Sequence, residues 1–91
     1  MINLIHDYVV DVDQLNYTLM RDKHKRNKKG IPIYETLGYY SSLEGAILAA
    51  KERCTKIYLG TGTHSLHEAI EIIKQVNKEF SDLLKEVLKN D

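Results

Sequence analysis

The first forty residues contain short apolar runs, separated by polar segments, that favour β-strands. Tyr8–Val12 and residues 17–20 are rich in β-branched and aromatic side chains, and residues 13–16 between them suit a turn. A third run covers residues 31–40, with Pro32 near its start, where a missing N–H does least harm. These patterns predict a small antiparallel sheet of two or three strands.

From residue 41 onward the apolar positions change to the three-and-four spacing of helices. Ser41 followed by Glu44 predicts a capping box at the start of a short helix that ends near Cys54. Ser65 followed by Glu68 predicts the same start for a second helix. The apolar positions of this second helix then continue for about 24 residues, or roughly 36 Å: Leu66, Ala69, Ile73, Val76, Phe80, Leu83 and Val87.

The predicted fold is α+β, with a small antiparallel sheet of two or three strands followed by a short helix and a long C-terminal helix. We expect a single domain over residues 1–91, made of a sheet half (1–40) and a helical half (41–91). A small sheet and one short helix cannot cover the far end of the long helix. We therefore expect a homo-oligomer, because a second copy of the chain can cover that end. The predicted interface residues are Phe80, Leu83, Leu84 and Val87.

Charge adds a feature that the apolar pattern does not show. The formal net charge is zero, yet residues 21–29 hold six of the thirteen Lys and Arg residues and a single acid, Asp22, so this block carries six minus one, or +5. It is predicted to connect the second and third strands, with Gly30 in the turn. Such a block is either a solvated loop or an anion site. Its cations are Arg21, Lys23, Lys25, Arg26, Lys28 and Lys29.

If the block binds nucleic acid, its composition favours contacts to phosphates over reading of base edges. Four of the six cations are Lys, whereas base readout favours Arg. Aromatic rings nearby, such as Tyr17 or Tyr34, could stack on bases. Tyr39 and Tyr40 are further candidates for a ligand site, because adjacent strand residues point to opposite faces and one of the two rings should point outward.

A second candidate anion site lies between the two predicted helices. If residues 57–59 are extended, a glycine-bearing loop joins a strand to a helix N-terminus and aims N–H groups and hydroxyls at a phosphate. The loop lacks the third glycine of a dinucleotide motif and the Gly-Lys-Ser/Thr ending of a triphosphate motif, so an ordinary helix connector is the alternative. Its candidate residues are Gly60, Thr61, Gly62, Thr63 and Ser65.

The remaining chemistry-bearing residues do not assemble into a catalytic or metal pattern. Cys54 is the only cysteine, which excludes an internal disulfide and favours a reducing setting. His64 and His67 match no standard zinc spacing. We therefore expect no enzyme activity, no catalytic residues, no metal and no cofactor. No apolar run approaches the roughly 20 residues of a membrane span, so a membrane partner is not expected either.

Several segments occur in an order that resembles a family of small proteins encoded by phages and prophages of Gram-positive bacteria. They are Asp13, residues 16–19, residues 37–46 (Leu-Gly-Tyr-Tyr-Ser-Ser-Leu-Glu-Gly-Ala) and residues 65–70. The resemblance covers most of residues 8–75, and residues 38–46 are its most specific part. It implies only the product of a small accessory gene of a bacterial virus, and with the reducing setting that Cys54 favours we expect the protein in the cytoplasm of the host bacterium. It transfers no chemistry.

Together these observations favour a phage accessory protein that acts by binding. The first hypothesis is an inhibitor of a bacterial defence component, which either sequesters an anionic nucleotide or covers a host protein. The second is a protein that binds DNA or RNA through the basic hairpin. The third is a structural component of the virion or of its assembly.

Overall fold

The structure is α+β, with an antiparallel sheet of four strands followed by two helices. It is a computed structural model, and it describes the backbone of residues 1–89 and the side chains of residues 1–87. The elements are β1 (Ile2–Asn3), β2 (Tyr8–Val12), β3 (Tyr17–Arg26), β4 (Pro32–Tyr40), α1 (Leu43–Gly60) and α2 (Leu66–Lys89). The chain forms two compact units that divide after Ala46.

The sheet runs in the order β1-β2-β3-β4, and each strand is antiparallel to its neighbour. The prediction of two or three strands missed β1, which has only two residues and pairs Ile2 with Val10. Such a short strand carries no alternation of its own and forms only because β2 is available to pair with it. The buried apolar side chains of these strands are Tyr8, Val9, Val10 and Leu19.

Strand β3 is longer than its apolar pattern predicts. It continues to Arg26, and its pairing with β4 extends to Arg26 opposite Pro32. The prediction that the whole basic block connects two strands is therefore wrong, since only residues 27–31 form the connection. Pairing of Arg21, Asp22 and Arg26 with β4 keeps this charged segment in the strand, although the intrinsic preference of its residues for strands is low.

Helix α1 differs from its prediction at both ends. Its cap is Ser42, not Ser41: the hydroxyl of Ser42 accepts a hydrogen bond from the N–H of Gly45 at 3.0 Å. The helix also continues past Cys54 to Gly60, so residues 57–59 are helical and not extended. No glycine or proline interrupts residues 46–59, which lets the helix continue to Gly60.

Helix α2 has the 24 residues that its periodicity predicts. Ser65 caps it, since its hydroxyl accepts a hydrogen bond from the N–H of Glu68 at 3.1 Å. Neither helix, over the part of the chain described, combines the length and apolar character that crossing a membrane requires.

The predicted interface residues of α2 differ in their burial. Phe80 is fully buried within the single chain, together with Val76, so it is a core residue and not an exposed interface residue. Leu83, Leu84 and Val87 are half-buried. The homo-oligomer stays a prediction, now without Phe80 as a surface contact.

Candidate functional site

The β3–β4 hairpin ends in a tightly bonded turn. The N–H of Asn27 donates to the carbonyl of Ile31 at 2.9 Å. The side-chain oxygen of Asn27 accepts from the N–H of Lys29 at 2.8 Å and from that of Ile31 at 3.0 Å. Gly30 has a φ of 79°, which an L side chain adopts only with strain. The hydrogen bonds of Asn27 thus order the tip that carries Lys28 and Lys29.

Both arginines of the basic block bond within the hairpin. Arg21 lies directly opposite Glu35 in the register of β3 and β4, and its Nη2 is 2.6 Å from Oε2 of Glu35. Nη1 of Arg26 donates to the carbonyl of Gly30 at 2.9 Å. These guanidinium groups therefore brace the strand pair and the turn.

The four lysines of the block have a different environment. Lys23, Lys25, Lys28 and Lys29 are exposed. Within residues 1–87, none of them forms an ion pair with a carboxylate. Four ammonium groups are thus available to an external anion, on a hairpin whose two arginines are already bonded.

An irregular segment of β3 lies between the sheet and the hairpin tip. Asp22 pairs with Tyr34 and Arg26 with Pro32, so residues 23–25 lie opposite the single residue 33. His24, at the middle of this bulge, has a φ of 54°, and its N–H donates to the Asp22 carboxylate at 2.8 Å. A bulge of this kind bends its strand and changes the direction of the side chains beyond it.

The bulge is tied to the turn that connects β1 and β2. In that turn His6 and Asp7 have φ values of 55° and 67°, and the carbonyl of Asp7 accepts from the N–H of Asp22 at 2.8 Å. Nε2 of His24 is 2.9 Å from Oδ1 of Asp7. This hydrogen bond raises the pKa of His24, and the charges of Asp7 and Asp22 raise it further.

One face of the sheet presents aromatic rings beside the hairpin. Tyr34 lies opposite Asp22 and Tyr39 lies opposite Thr18, and an even spacing between Thr18 and Asp22 on β3 places both pairs on the same face. The two tyrosines share that face because Leu37 is an extra residue in β4. Tyr39 is 66% exposed and Tyr34 is half-buried.

Tyr40 lies on the opposite face and covers Gly38. A methyl group at Gly38 would come within 2.8 Å of the Tyr40 hydroxyl oxygen. The prediction that one ring of the pair points outward is confirmed for Tyr39, which is exposed, whereas Tyr40 is half-buried. The close contact with Gly38 gives Tyr40 a packing role.

The loop between the helices, residues 60–65, uses its polar groups to complete the helix ends. The hydroxyl of Thr61 donates to the carbonyl of Ile57 at 2.8 Å, and the ring of His64 contacts the carbonyl of Tyr58 at 3.2 Å. Gly60 is the last residue of α1, and Gly62 takes the left-handed conformation with a φ of 80°. These contacts satisfy carbonyl groups that the end of α1 leaves free.

The start of α2 already has a negative charge beside it. Ser65 uses its hydroxyl to cap the N–H of Glu68. The Glu68 carboxylate lies 3.7 Å from Nδ1 of His64, in the first turn of the helix. A carboxylate there occupies the favourable end of the helix dipole and repels an incoming phosphate.

Cys54 is the remaining candidate nucleophile. Cys54 is buried, and this burial raises the pKa of its thiol, with the charge of Glu79 raising it further. The thiol therefore stays protonated near neutral pH and is a poor nucleophile. In the described part of the chain, no group of three or more His, Cys, Asp or Glu side chains is placed to hold a metal ion.

The sequence predicts where the cations lie, but not that the arginines are bonded within the hairpin while the lysines stay exposed. The charge run indicates a basic tip, yet the pairing of Arg21 with Glu35 depends on a strand register that the pattern does not specify. Sequence reasoning also missed the contact of Asp7 with His24, for which the sequence carries no local signal. Comparison with protein-family models, with curated proteins and with solved structures finds no match for this chain.

Proposed function

We propose that this protein acts by binding nucleic acid, and that the β3–β4 hairpin contacts the phosphates. The observation that carries the proposal is the set of four exposed lysines, free of carboxylate partners among the described residues, on an ordered hairpin. Cations that neutralise phosphates release condensed counterions, which drives binding regardless of sequence. A neutral chain that concentrates its positive charge in one hairpin can therefore bind a polyanion through that hairpin.

Sequestration of a small nucleotide by the loop of residues 60–65 has less support. The hydroxyls of Thr61 and Ser65 are engaged in bonds at the helix ends. A phosphate at the start of α2 would also lie near the carboxylate of Glu68, which opposes the attraction of the helix dipole. The hairpin is therefore the better candidate for an anion site.

The phage setting that the resemblance implies would make this an accessory protein that binds nucleic acid in the host cytoplasm. The predicted homo-oligomer would present several hairpins to one strand. Linked weak sites of this kind bind far more tightly than one site alone. Inhibition of a host defence component would follow if that component acts on the same nucleic acid.

A matched pair of variants tests the hairpin directly. One variant replaces the hairpin lysines with glutamine (Lys23, Lys25, Lys28 and Lys29). The control replaces four helix lysines in the same way (Lys56, Lys74, Lys78 and Lys85), so both variants lose the same charge. Binding of labelled oligonucleotides is followed by fluorescence anisotropy at several salt concentrations.

We expect the natural chain to lose about 50-fold in affinity between about 50 and 200 mM salt if four contacts form on a single strand. The hairpin variant should bind at least about 50-fold more weakly and show a flatter salt dependence. The helix variant should stay within about threefold. Equal losses in both variants would mean that binding follows net charge and not the hairpin. Thermal stabilisation by a cyclic or diphosphate nucleotide, without oligonucleotide binding, would support sequestration instead.

A further inference from the structure

We infer that the ligand of the hairpin is single-stranded nucleic acid, and that Tyr34 and Tyr39 stack on its bases beside the hairpin. This inference rests on the proposed function and names the class of nucleic acid. Three features of the described residues lead to it: the bonded arginines, the aromatic sheet face, and the distribution of acidic side chains over that face.

The bonds of the two arginines engage part of the groups that most often read a duplex. Arginine recognises guanine through two parallel hydrogen bonds in the major groove, which requires a free guanidinium. Arg21 is paired with Glu35, and Arg26 is bonded to the turn. The cations that remain are lysines, which act on phosphates as point charges. The hairpin can therefore hold a nucleic-acid backbone but is poorly equipped to read base pairs.

The aromatic face offers rings on which the unpaired bases of a single strand can stack, whereas the bases of a duplex are not available for such stacking. Unpaired bases stack on tyrosine rings, and this stacking tolerates any sequence because every base has a flat face. Tyr39 is 66% exposed, and Tyr34 shares its face. The residues opposite the two rings, Thr18 and Asp22, are four apart on β3, which at about 3.3 Å per residue spans roughly 13 Å. A stretch of a few nucleotides covers this distance.

The hairpin lysines and the two tyrosine rings follow one another along the length of the sheet. Tyr34 is two residues from Pro32, where the hairpin turn ends, and it lies opposite Asp22, next to Lys23. Of the two rings, Tyr34 is therefore the one nearer to the hairpin lysines in the strand register.

Acidic side chains determine which end of this face suits phosphates. Asp11 pairs with Thr18, which pairs with Tyr39, so an exposed carboxylate shares the row of Tyr39. Asp22, in the row of Tyr34, already accepts a hydrogen bond from His24. Phosphates are disfavoured beside Asp11 and favoured at the hairpin, so bases are the part of the ligand that suits Tyr39.

The test compares ligands and tyrosine variants under one set of conditions. The probes are single-stranded DNA and RNA of one mixed sequence of about 16 nucleotides, with the corresponding DNA duplex. The variants are Tyr39→Ala, Tyr39→Phe, Tyr34→Ala and Tyr34→Phe, with Leu15→Ala as a control for an exposed apolar side chain outside the proposed surface. Thermal unfolding shows that each variant is folded, and quenching of tyrosine fluorescence reports stacking.

We expect the single strands to bind more tightly than the duplex, and Tyr39→Ala to lose about 5- to 100-fold on single strands. The phenylalanine variants and Leu15→Ala should stay within about threefold of the natural chain, because they keep both rings. Tighter binding of RNA than DNA, or the reverse, would identify the source of the single strand.

Two results would overturn the inference. Duplex binding as tight as single-strand binding would show that the ligand is not specifically single-stranded, and unchanged affinity in both alanine variants would show that the rings do not stack. In either case the proposed function survives if the hairpin lysine variant still loses binding. If no probe binds the natural chain, the proposed function fails as well.

Discussion

The β3–β4 hairpin and the loop between the helices both carry residues of the kind that bind anions, but the hairpin leaves four lysines exposed whereas the loop uses two of its hydroxyls at the helix ends. In the loop, Thr61 and Ser65 bond to the ends of the helices, and Glu68 brings a carboxylate to the start of α2. In the hairpin, the arginines and Asn27 supply the structural bonds while the lysines stay exposed. Residue type alone therefore does not distinguish an anion site from a capped helix connector.

The largest effect that separates the two regions should come from charge reversal. The double variant Lys25→Glu, Lys28→Glu removes two phosphate contacts and adds two repulsions, so oligonucleotide affinity should fall about 100-fold or more. The loop variant Thr61→Glu, Thr63→Glu, which adds two negative charges but removes no cation, should change affinity by less than about threefold. Anisotropy titrations at low salt measure both. A larger loss in the loop variant would reverse the comparison.

Glycine substitutions test a property that the two regions share. Gly30 and Gly62 have φ values of 79° and 80°, and a methyl group at either would meet no heavy atom within 4 Å. Alanine at either position should therefore cost about 1–2 kcal/mol through backbone strain alone. Gly60 is helical and equally open, so Gly60→Ala should stabilise by about 0.5–1 kcal/mol. Urea unfolding measures all three. A neutral Gly62→Ala would show that this left-handed conformation is not required.

Much of the fold could be predicted because the signals are local. The long apolar repeat and Ser65 give α2 its length and its start, and β2 and β4 coincide with runs rich in β-branched and aromatic residues. The strand segments that were not predicted depend on pairing partners that are distant in sequence. Strand β1 has two residues and exists only through β2, and the charged end of β3 is a strand only because β4 pairs with it. Ser41 and Ser42 are adjacent, and the pattern cannot choose which one caps α1.

The candidate site divides in the same way. A run of charge is a local feature, so the cations of the hairpin were identifiable. Which of them stay free depends on a register that passes through two irregularities, at Leu37 and at residues 23–25. The same irregularity at Leu37 puts Tyr34 and Tyr39 on one face, although residues five apart on a regular strand point to opposite faces.

Serine substitutions should have a smaller effect and sharpen the assignment of the loop. Ser65→Ala removes a helix cap and should cost about 1 kcal/mol of unfolding free energy. Because its hydroxyl is a cap, the substitution should leave oligonucleotide affinity unchanged. Ser42→Ala should cost a similar amount for α1, and Ser41→Ala, its matched control, about 0–0.5 kcal/mol. A loss of affinity in Ser65→Ala at unchanged stability would instead make the loop a binding site.

The smallest effect concerns pH and the contact between His24 and Asp7. The hydrogen bond to the Asp7 carboxylate, helped by the charges of Asp7 and Asp22, raises the pKa of His24 above the ordinary 6.5. The stabilisation from this pair is therefore complete below pH 6.5 and is lost as the pH rises through the higher pKa of the folded protein. Because protonated His24 adds one positive charge beside Lys23 and Lys25, affinity for an oligonucleotide should be about two- to fivefold higher below this pKa than above it.

NMR titration of the histidine rings should place the pKa of His24 above 6.5 and show that this pKa falls in Asp7→Asn. The variant His24→Gln should remove the part of the pH dependence that His24 contributes. His6 is unchanged in this variant. If the affinity of His24→Gln still changes by the same factor with pH, the pH dependence arises from another group, and His24 adds nothing to the charge that binds the oligonucleotide.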